Sequence, residues 1–257
     1  MSLFTVASSP LTDDVLMLFL MLTGLMLSVC LGRMAGRHRN RSGSGTVLIV
    51  VSGLSGLLTG CAFFISVAGF AAREKAEIHE VQAVGRAWQY SGLLNDTDRE
   101  RSRQILMSYL SERIHFFQEN TSAGLRTWNR LARNRQQQLW QLAEGEASAP
   151  GRLTALPVLK TYSDLGDCMA RTRSVWCRQL PDSAWWVLIL LALSVCYLVG
   201  YRQRGGMAVW RTLLFVPVLI ALVLFVIAET DLPGQGIIHV TPDGLESLAE
   251  ELRQESM

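Results

Sequence analysis

Four long stretches of the sequence contain no charged residue, and this feature limits the chain to a membrane fold. The stretches are residues 15–32, 46–70, 183–201 and 212–228. A helix of about 20 mostly apolar residues crosses the roughly 30 Å hydrocarbon core of a bilayer. Only 18% of all residues are charged, because these stretches contribute none. The sequence therefore predicts an all-α, polytopic membrane protein with four transmembrane helices.

The remaining residues predict a helical extramembrane block between spans two and three. We expect an N-terminal helix pair in 1–72, the block in 73–182, a C-terminal helix pair in 183–228 and a tail with a short amphipathic helix in 229–257. Apolar residues recur in the block at helical spacing, and the second span continues into it without a helix breaker. Thr97 and Glu100 have the spacing of a capping box, which predicts that a new helix begins there.

Arginines in the two short loops predict the orientation. The loops between spans one and two and between spans three and four contain arginines and no acidic residue, so both are expected in the cytoplasm. Both termini and the central block would then lie outside the cytoplasm of a bacterial cell, with the spans in its inner membrane. In that compartment Cys168 and Cys177 could form a disulfide or remain free thiols.

No motif for catalysis or for cofactor binding is present. The four histidines are far apart and have no acidic or cysteine partner at ligand spacing. We therefore predict no enzymatic activity, no cofactor and no metal site. The net charge of +2 also argues against a nucleic-acid partner. An arginine-rich run at 126–135 is either a solvated helix face or a surface that attracts anions.

A polar stripe follows one face of the second span. At 100° per residue, six side chains fall within about 80° of one another. They are Ser52, Ser55, Thr59, Phe63, Ser66 and Phe70. One interpretation is a tight packing seam, in which the hydroxyls bond to their own helix or to a neighbouring one. The other is a pore lining shared between several copies, with the two phenylalanines as apolar constrictions.

Two further pairs of residues belong to this second span. Arg73 and Glu77 come just beyond the membrane segment and would lie at the mouth of such a pore. Gly56 and Gly60 form a GxxxG motif beside the stripe, which favours close packing against another helix. None of the four spans contains a charged residue, and this argues against pumps and coupled transporters.

Short motifs and their order along the chain carry a family resemblance. The motif residues are Phe64 through Arg73-Glu74, Glu80, Arg103–Tyr109, Arg113, Arg171, Arg173, Arg178, Leu180-Pro181, Trp185, Asp231-Leu-Pro233 and Gly236. With its layout of two spans, a helical block, two spans and a tail, nearly the whole chain resembles the bestrophin-like family of bacterial four-span membrane proteins.

This resemblance implies kinship with bestrophins, which are pentameric anion channels whose second membrane helix lines the pore and carries apolar neck residues. Phe63 and Phe70 would then be the neck residues, with Ser66 between them. In two respects the chain departs from bestrophins. Their central block and termini are cytosolic, whereas the arginines here predict the opposite, and the acidic pattern of their calcium clasp is missing from this sequence.

Two hypotheses of function follow. In the first, the chain forms a homo-oligomer, a pentamer by resemblance, that passively conducts ions, anions by resemblance, along an axis lined by the second span. In the second, the chain is a non-conducting scaffold or sensor. Its extramembrane helices would bind an unidentified protein partner, and the spans would only anchor and oligomerise it.

Overall fold

The computed structural model describes residues 10–36, 44–119, 121–148, 155–202, 207–231 and 240–255. These residues form eight α-helices and no β-strand, which confirms the all-α prediction. The helices are α1 (Pro10–Gly36), α2 (Ser44–Ser91), α3 (Asp96–Gln118), α4 (Ser122–Ala147), α5 (Ala155–Trp176), α6 (Asp182–Arg202), α7 (Met207–Asp231) and α8 (Asp243–Glu255).

Four of these helices are long and apolar enough to cross a membrane, as the sequence predicts. Their candidate spans are Val15–Gly36 in α1, Gly45–Ser91 in α2, Asp182–Arg202 in α6 and Leu214–Asp231 in α7. The second span indeed continues past the apolar segment as one helix of 48 residues. At 1.5 Å per residue, α2 is about 72 Å long, more than twice the thickness of the hydrocarbon core.

The chain folds into two compact units. Unit 1 contains Met1–Gly69 and Gln179–Ile238, and unit 2 contains Phe70–Arg178 and His239–Met257. The predicted block boundaries at 72 and 182 lie close to the boundaries between the units. The grouping differs in two ways from the four predicted segments, because both helix pairs belong to unit 1 and because the tail helix α8 belongs to unit 2.

In unit 1, glycines allow α1 and α6 to approach each other closely. A Cβ atom placed on Gly32 would lie 2.0 Å from the carbonyl oxygen of Tyr197, and one on Gly200 would lie 2.2 Å from that of Val29. Ser28 Oγ also donates a hydrogen bond of 2.8 Å to the carbonyl of Leu193. Small residues and interhelical hydrogen bonds are the usual means of helix association in lipid, where apolar burial gives no drive.

Unit 2 is a helical domain with a buried aromatic core. Its fully buried side chains include Tyr109, Phe117, Tyr162 and Trp176. The C-terminal end of α8 is hydrogen-bonded to α2, because Trp88 Nε1 donates to Glu255 Oε2 at 3.0 Å.

One helix start in unit 2 differs from the prediction. The cap of α3 is Asn95, whose side-chain oxygen accepts from the backbone N–H of Asp98 at 2.7 Å. The predicted capping box at Thr97 and Glu100 is therefore wrong by two residues. Asparagine is as good a cap as threonine or better, and starting the helix earlier places Asp96 and Asp98 in its first turn, where the helix dipole favours acids.

Candidate functional site

The membrane segment of α2 is the least covered of the four spans. Only 6% of its apolar window is buried within the chain, compared with 17% for α1, 28% for α6 and 44% for α7. Ala62 and Leu58 pack into the apolar core of unit 1, so one side of the helix is held by its own chain. The other side of the α2 membrane segment is exposed in the single chain.

Four of the six predicted stripe residues lie at the edge of this open side, and we call them the α2 stripe: Ser52, Ser55, Thr59 and Phe63. The three hydroxyl residues are half-buried, and Phe63 is 42% exposed. Within the described part of the chain, no hydrogen bond joins these hydroxyls to another helix. In the single chain, these three hydroxyls are therefore accessible to a neighbouring copy, to lipid or to water.

The GxxxG motif beside the stripe is also open. Added Cβ atoms on Gly56 and Gly60 would meet nothing within 4 Å. The chain itself therefore does not fill this seam, in contrast to the crowded contact at Gly32 and Gly200. That these two glycines pack against another helix stays a prediction, and the helix would have to come from another molecule.

Ser66 does not belong to the open stripe, so its assignment to a pore lining is corrected. It is only 2% exposed. Its hydroxyl donates to the carbonyl of Ile227 at 3.0 Å and lies 2.7 Å from Thr230 Oγ1, both on α7. A buried hydroxyl needs such partners. Ser66 therefore ties α2 to α7 within one chain, as in the packing interpretation of the stripe.

Phe70 is separated from the stripe as well. It lies in unit 2, is half-buried and packs against the apolar core of that unit. Its ring thus has an intramolecular role, and of the two predicted constrictions only Phe63 remains exposed on the membrane segment of α2.

The two residues predicted at the pore mouth are buried inside unit 2, so that assignment is corrected too. Arg73 is 2% exposed and donates from Nη2 to the carbonyl of Arg178 at 3.2 Å. Glu77 is 6% exposed, and its Oε1 accepts from the backbone N–H of Leu245 at 3.1 Å. That N–H lies in the first turn of α8, so Glu77 acts as a cap for this helix. The helical wheel gave the angular position of both residues, but not what packs against them.

The capping carboxylate of Glu77 has a perturbed acidity. Burial raises its pKa, the backbone N–H groups of Leu245 and Gly244 lower it, and the negative charges of Glu80 and Asp243 raise it further, with a net increase. Because the pKa is higher in the folded than in the unfolded chain, Glu77 favours folding most strongly when it is protonated. This contribution is full below its unfolded pKa and disappears as the pH rises through the folded one.

A pH experiment can test this increase in the pKa of Glu77. As the pH falls from 7 towards 4.5, we expect the thermal unfolding midpoint of the wild-type chain to rise relative to that of Glu77→Gln. The glutamine keeps an oxygen acceptor for the Leu245 N–H but cannot titrate. The difference between the two melting curves, followed by tryptophan fluorescence in detergent, isolates this one group. A difference that does not change with pH, or that changes in the opposite direction, would contradict the assignment.

Unit 2 also contains a fully buried ion pair, which the sequence analysis did not identify as such. Arg113 donates to both carboxylate oxygens of Glu80, from Nε to Oε1 and from Nη2 to Oε2, the latter at 2.9 Å. Both side chains are 0% exposed. The hydroxyl of Tyr109 donates to Glu80 Oε1 at 2.9 Å, and burial followed by the Glu80 charge raises its pKa well above the ordinary value. The sequence signal that could have identified this pair is one charged residue, Glu80 or Arg113, on each of two otherwise apolar helix faces.

Residues of the family motifs meet in these contacts. Glu80 pairs with Arg113, and Arg73 bonds to Arg178. In unit 1, the carboxylate of Asp231 accepts from the backbone N–H of Leu180 at 2.9 and 3.2 Å. Motif residues that are distant in sequence are therefore partners within each unit.

A model of the bestrophin-like domain matches residues 18–245 of the chain. The chain belongs to the bestrophin-like family. The match includes all four spans and the helical block, and it confirms the resemblance seen in the sequence. No curated protein and no solved structure matches the chain. Membership supports a channel-like membrane protein.

The five cysteines of this bestrophin-like chain all lie in described helices or next to them, and all are free thiols. The suggested Cys168–Cys177 disulfide is wrong for a geometric reason. Cys168 lies within α5, and the N–H of Cys177 still bonds to Arg173 at the end of that helix. Nine residues of helix separate the two by about 13 Å, whereas the Cα atoms of a disulfide lie within about 7 Å.

Other chemistry-bearing groups are few in the described residues. No three His, Cys, Asp or Glu side chains among them are close enough to hold a metal ion. Burial raises the pKa of the Cys168 thiol to about 11, so at neutral pH it is an inert thiol and not a nucleophile. The surface pockets of unit 2 include one between α3 and α4 and one between α4 and α5.

Proposed function

We propose that the protein forms a homo-oligomer, a pentamer, in the bacterial cytoplasmic membrane and passively conducts small anions along an axis bordered by α2. One observation carries the proposal. The span least covered by its own chain is also the one that has three hydroxyl side chains and an open GxxxG motif at that exposed side. In lipid, small residues let helices from different copies approach closely, and hydroxyls give a narrow path polar groups.

Phe63 supplies the gate in this proposal. It lies one turn beyond Thr59 and is the exposed aromatic residue of the α2 stripe. A ring of phenylalanines around an axis excludes water and stops ions until it widens. The absence of charged groups from residues 46–70 of α2 suits passive flow rather than pumping. The preference for anions is proposed from the kinship with bestrophins alone.

A current measurement tests this directly. Planar bilayers containing purified wild-type protein should carry a current whose reversal potential follows a chloride gradient. Phe63→Ala should raise the unitary conductance, because it widens the apolar ring. Thr59→Val should lower it, because it removes a lining hydroxyl without changing the side-chain volume much. Thr23→Val on α1 is the matched control, since Thr23 bonds to its own helix at the carbonyl of Leu20. If neither wild type nor Phe63→Ala gives current, the channel proposal fails.

The oligomer can be tested separately through the GxxxG motif. Gly60→Leu should shift the particle mass in detergent from an oligomer to a monomer, because the larger side chain keeps α2 helices of neighbouring copies apart. Gly24→Leu on α1 is the control, because an added Cβ there also meets nothing within 4 Å of the chain and the residue lies outside the proposed interface. Mass photometry counts the subunits in each case. Equal masses for the two variants would argue against α2 as the interface.

The orientation is part of the proposal. On the arginine distribution of the short loops, unit 2 and both termini lie outside the cytoplasm. Cys177 is exposed in unit 2, so a membrane-impermeant maleimide should label it in spheroplasts. Labelling that occurs only after lysis would reverse the orientation.

The scaffold or sensor hypothesis has its own support, because unit 2 has surface pockets lined by α3, α4 and α5 that a partner could enter. An intact oligomer that carries no current in any variant would favour this second function.

A further inference from the structure

Four arginines from two helices of unit 2 line one surface pocket. Arg126, Arg130 and Arg133 come from successive turns of one face of α4, and Arg173 comes from α5. We call this site the arginine pocket. Its volume is about 560 Å³, and Ala123, Thr127 and Asn129 complete its lining without any acidic residue.

None of these four arginines is in a salt bridge with a described carboxylate. Arg135, the next arginine of α4, is different, because its Nε lies 3.0 Å from Glu112 Oε1. The arginine-rich run predicted from the sequence thus divides into one residue that is neutralised within the fold and three that are not. Like charges on successive turns of a helix repel each other, so the arrangement is unfavourable without a counter-charge.

Asn129 is a second, independent observation that points to a ligand in this pocket. It lines the same pocket, is only 6% exposed, and its buried Oδ1 has no hydrogen-bond partner among the described residues. Buried polar groups are nearly always bonded, and those that are not call for an explanation such as a bound ligand. A half-turn of the amide exchanges its oxygen and nitrogen, so Asn129 can either accept from a ligand hydroxyl or donate to an oxyanion.

From these observations we infer that the arginine pocket binds a phosphate-bearing anion, a role separate from the proposed conduction. Guanidinium groups form paired hydrogen bonds with phosphate oxygens. From Arg126 to Arg133 the helix rises about 10 Å, which is too far for one monatomic ion to bridge but suits a ligand with two phosphates or a phosphate on a larger body. The phosphate can belong to a soluble molecule or to a lipid headgroup.

Titration of the full-length protein in a neutral detergent tests the inference and separates the two sources. The probes are sodium pyrophosphate and dioctanoyl phosphatidate, with sodium chloride held constant. The variant Arg126→Gln/Arg130→Gln/Arg133→Gln removes three charges of the pocket. The matched control Arg86→Gln/Arg101→Gln/Lys160→Gln removes three exposed charges of unit 2 outside the pocket.

We expect at least one probe to bind the wild-type protein and the control alike, and the pocket variant at least tenfold more weakly. Binding of pyrophosphate identifies a soluble ligand, and binding of phosphatidate alone identifies a lipid headgroup. Asn129→Leu should weaken the same probe while leaving the net charge unchanged, which a diffuse attraction would not do. If the pocket and control variants weaken binding equally, or if neither probe binds the wild type, the inference is overturned.

Discussion

Replacing Arg113 by methionine is expected to lower the free energy of unfolding of unit 2 by about 3–5 kcal/mol, the usual effect of removing one partner from a buried ion pair. The variant leaves the Glu80 carboxylate at 0% exposure with only the Tyr109 hydroxyl as a described donor. In the native fold, burial alone would lower the pKa of Arg113, but the Glu80 charge outweighs it and raises that pKa. Arg113 is therefore charged, and Glu80 and Arg113 depend on each other as hydrogen-bond partners.

Denaturant titration of the full chain, read by tryptophan fluorescence to which the buried Trp88 and Trp176 of unit 2 contribute, measures this loss. The control is Arg99→Met, which breaks an exposed pair with Asp96 whose side chains are 40% and 90% accessible. Exposed pairs contribute about 0–1 kcal/mol, so this variant should unfold almost as the wild type does.

A double replacement tests the cause of the loss. In Glu80→Leu/Arg113→Met both charges are absent, and most of the stability lost in Arg113→Met should return, because apolar residues of similar volume can replace a buried pair. If the double variant is as unstable as the single one, the loss comes from packing rather than from an uncompensated charge. Arg113 lies 4.1 Å over the Phe116 ring, so the packing alternative has a definite structural basis.

The sequence predicted the helices of this protein because the signals for them are local. Charge-free runs of membrane length predicted all four spans. The start of α3 was wrong by two residues because Asn95 and Thr97 are both acceptable caps. Asparagine is the slightly better cap, but the difference between the two residues is small.

Partners across the fold were not predictable in the same way. The helical wheel gives Ser66 nearly the same direction as Ser55, and only the position of α7 distinguishes a buried hydroxyl from an open one. Arg73 and Glu77 continue the line of the stripe, but the partners that bury them lie at Arg178 and Leu245, more than a hundred residues away in sequence.

The contact between α1 and α6 could have been predicted from the sequence. Small residues recur at intervals of four in α1, at Ser28 and Gly32, and in α6, at Ala192, Cys196 and Gly200. Two matching small-residue stripes on different spans are stronger evidence for a contact than the single GxxxG of α2. The structure accordingly brings α1 and α6 together at these positions.

Adding one methyl group at this seam should therefore have a large effect. In Gly200→Ala the new Cβ would lie 2.2 Å from the carbonyl oxygen of Val29, and in Gly32→Ala it would lie 2.0 Å from that of Tyr197. Both obstacles are backbone atoms, so the helices must separate and no side chain can simply rotate away. We expect each variant to lose about 1–3 kcal/mol or more, as overpacked cores do, and to unfold at a lower temperature in detergent.

Gly56→Ala is the matched control, because an added Cβ there meets nothing within 4 Å of its own chain. Alanine is also the better helix former by about 1 kcal/mol, so the isolated subunit should be unchanged or slightly more stable. Equal losses in Gly56→Ala and Gly200→Ala would contradict the α1–α6 seam. A loss in Gly56→Ala that occurs only in the oligomer would have a different meaning, because the crowding must then come from a neighbouring copy. The unfolding temperature should therefore be measured at protein concentrations above and below the one at which the oligomer dissociates. This comparison distinguishes a contact within one chain from a contact between chains.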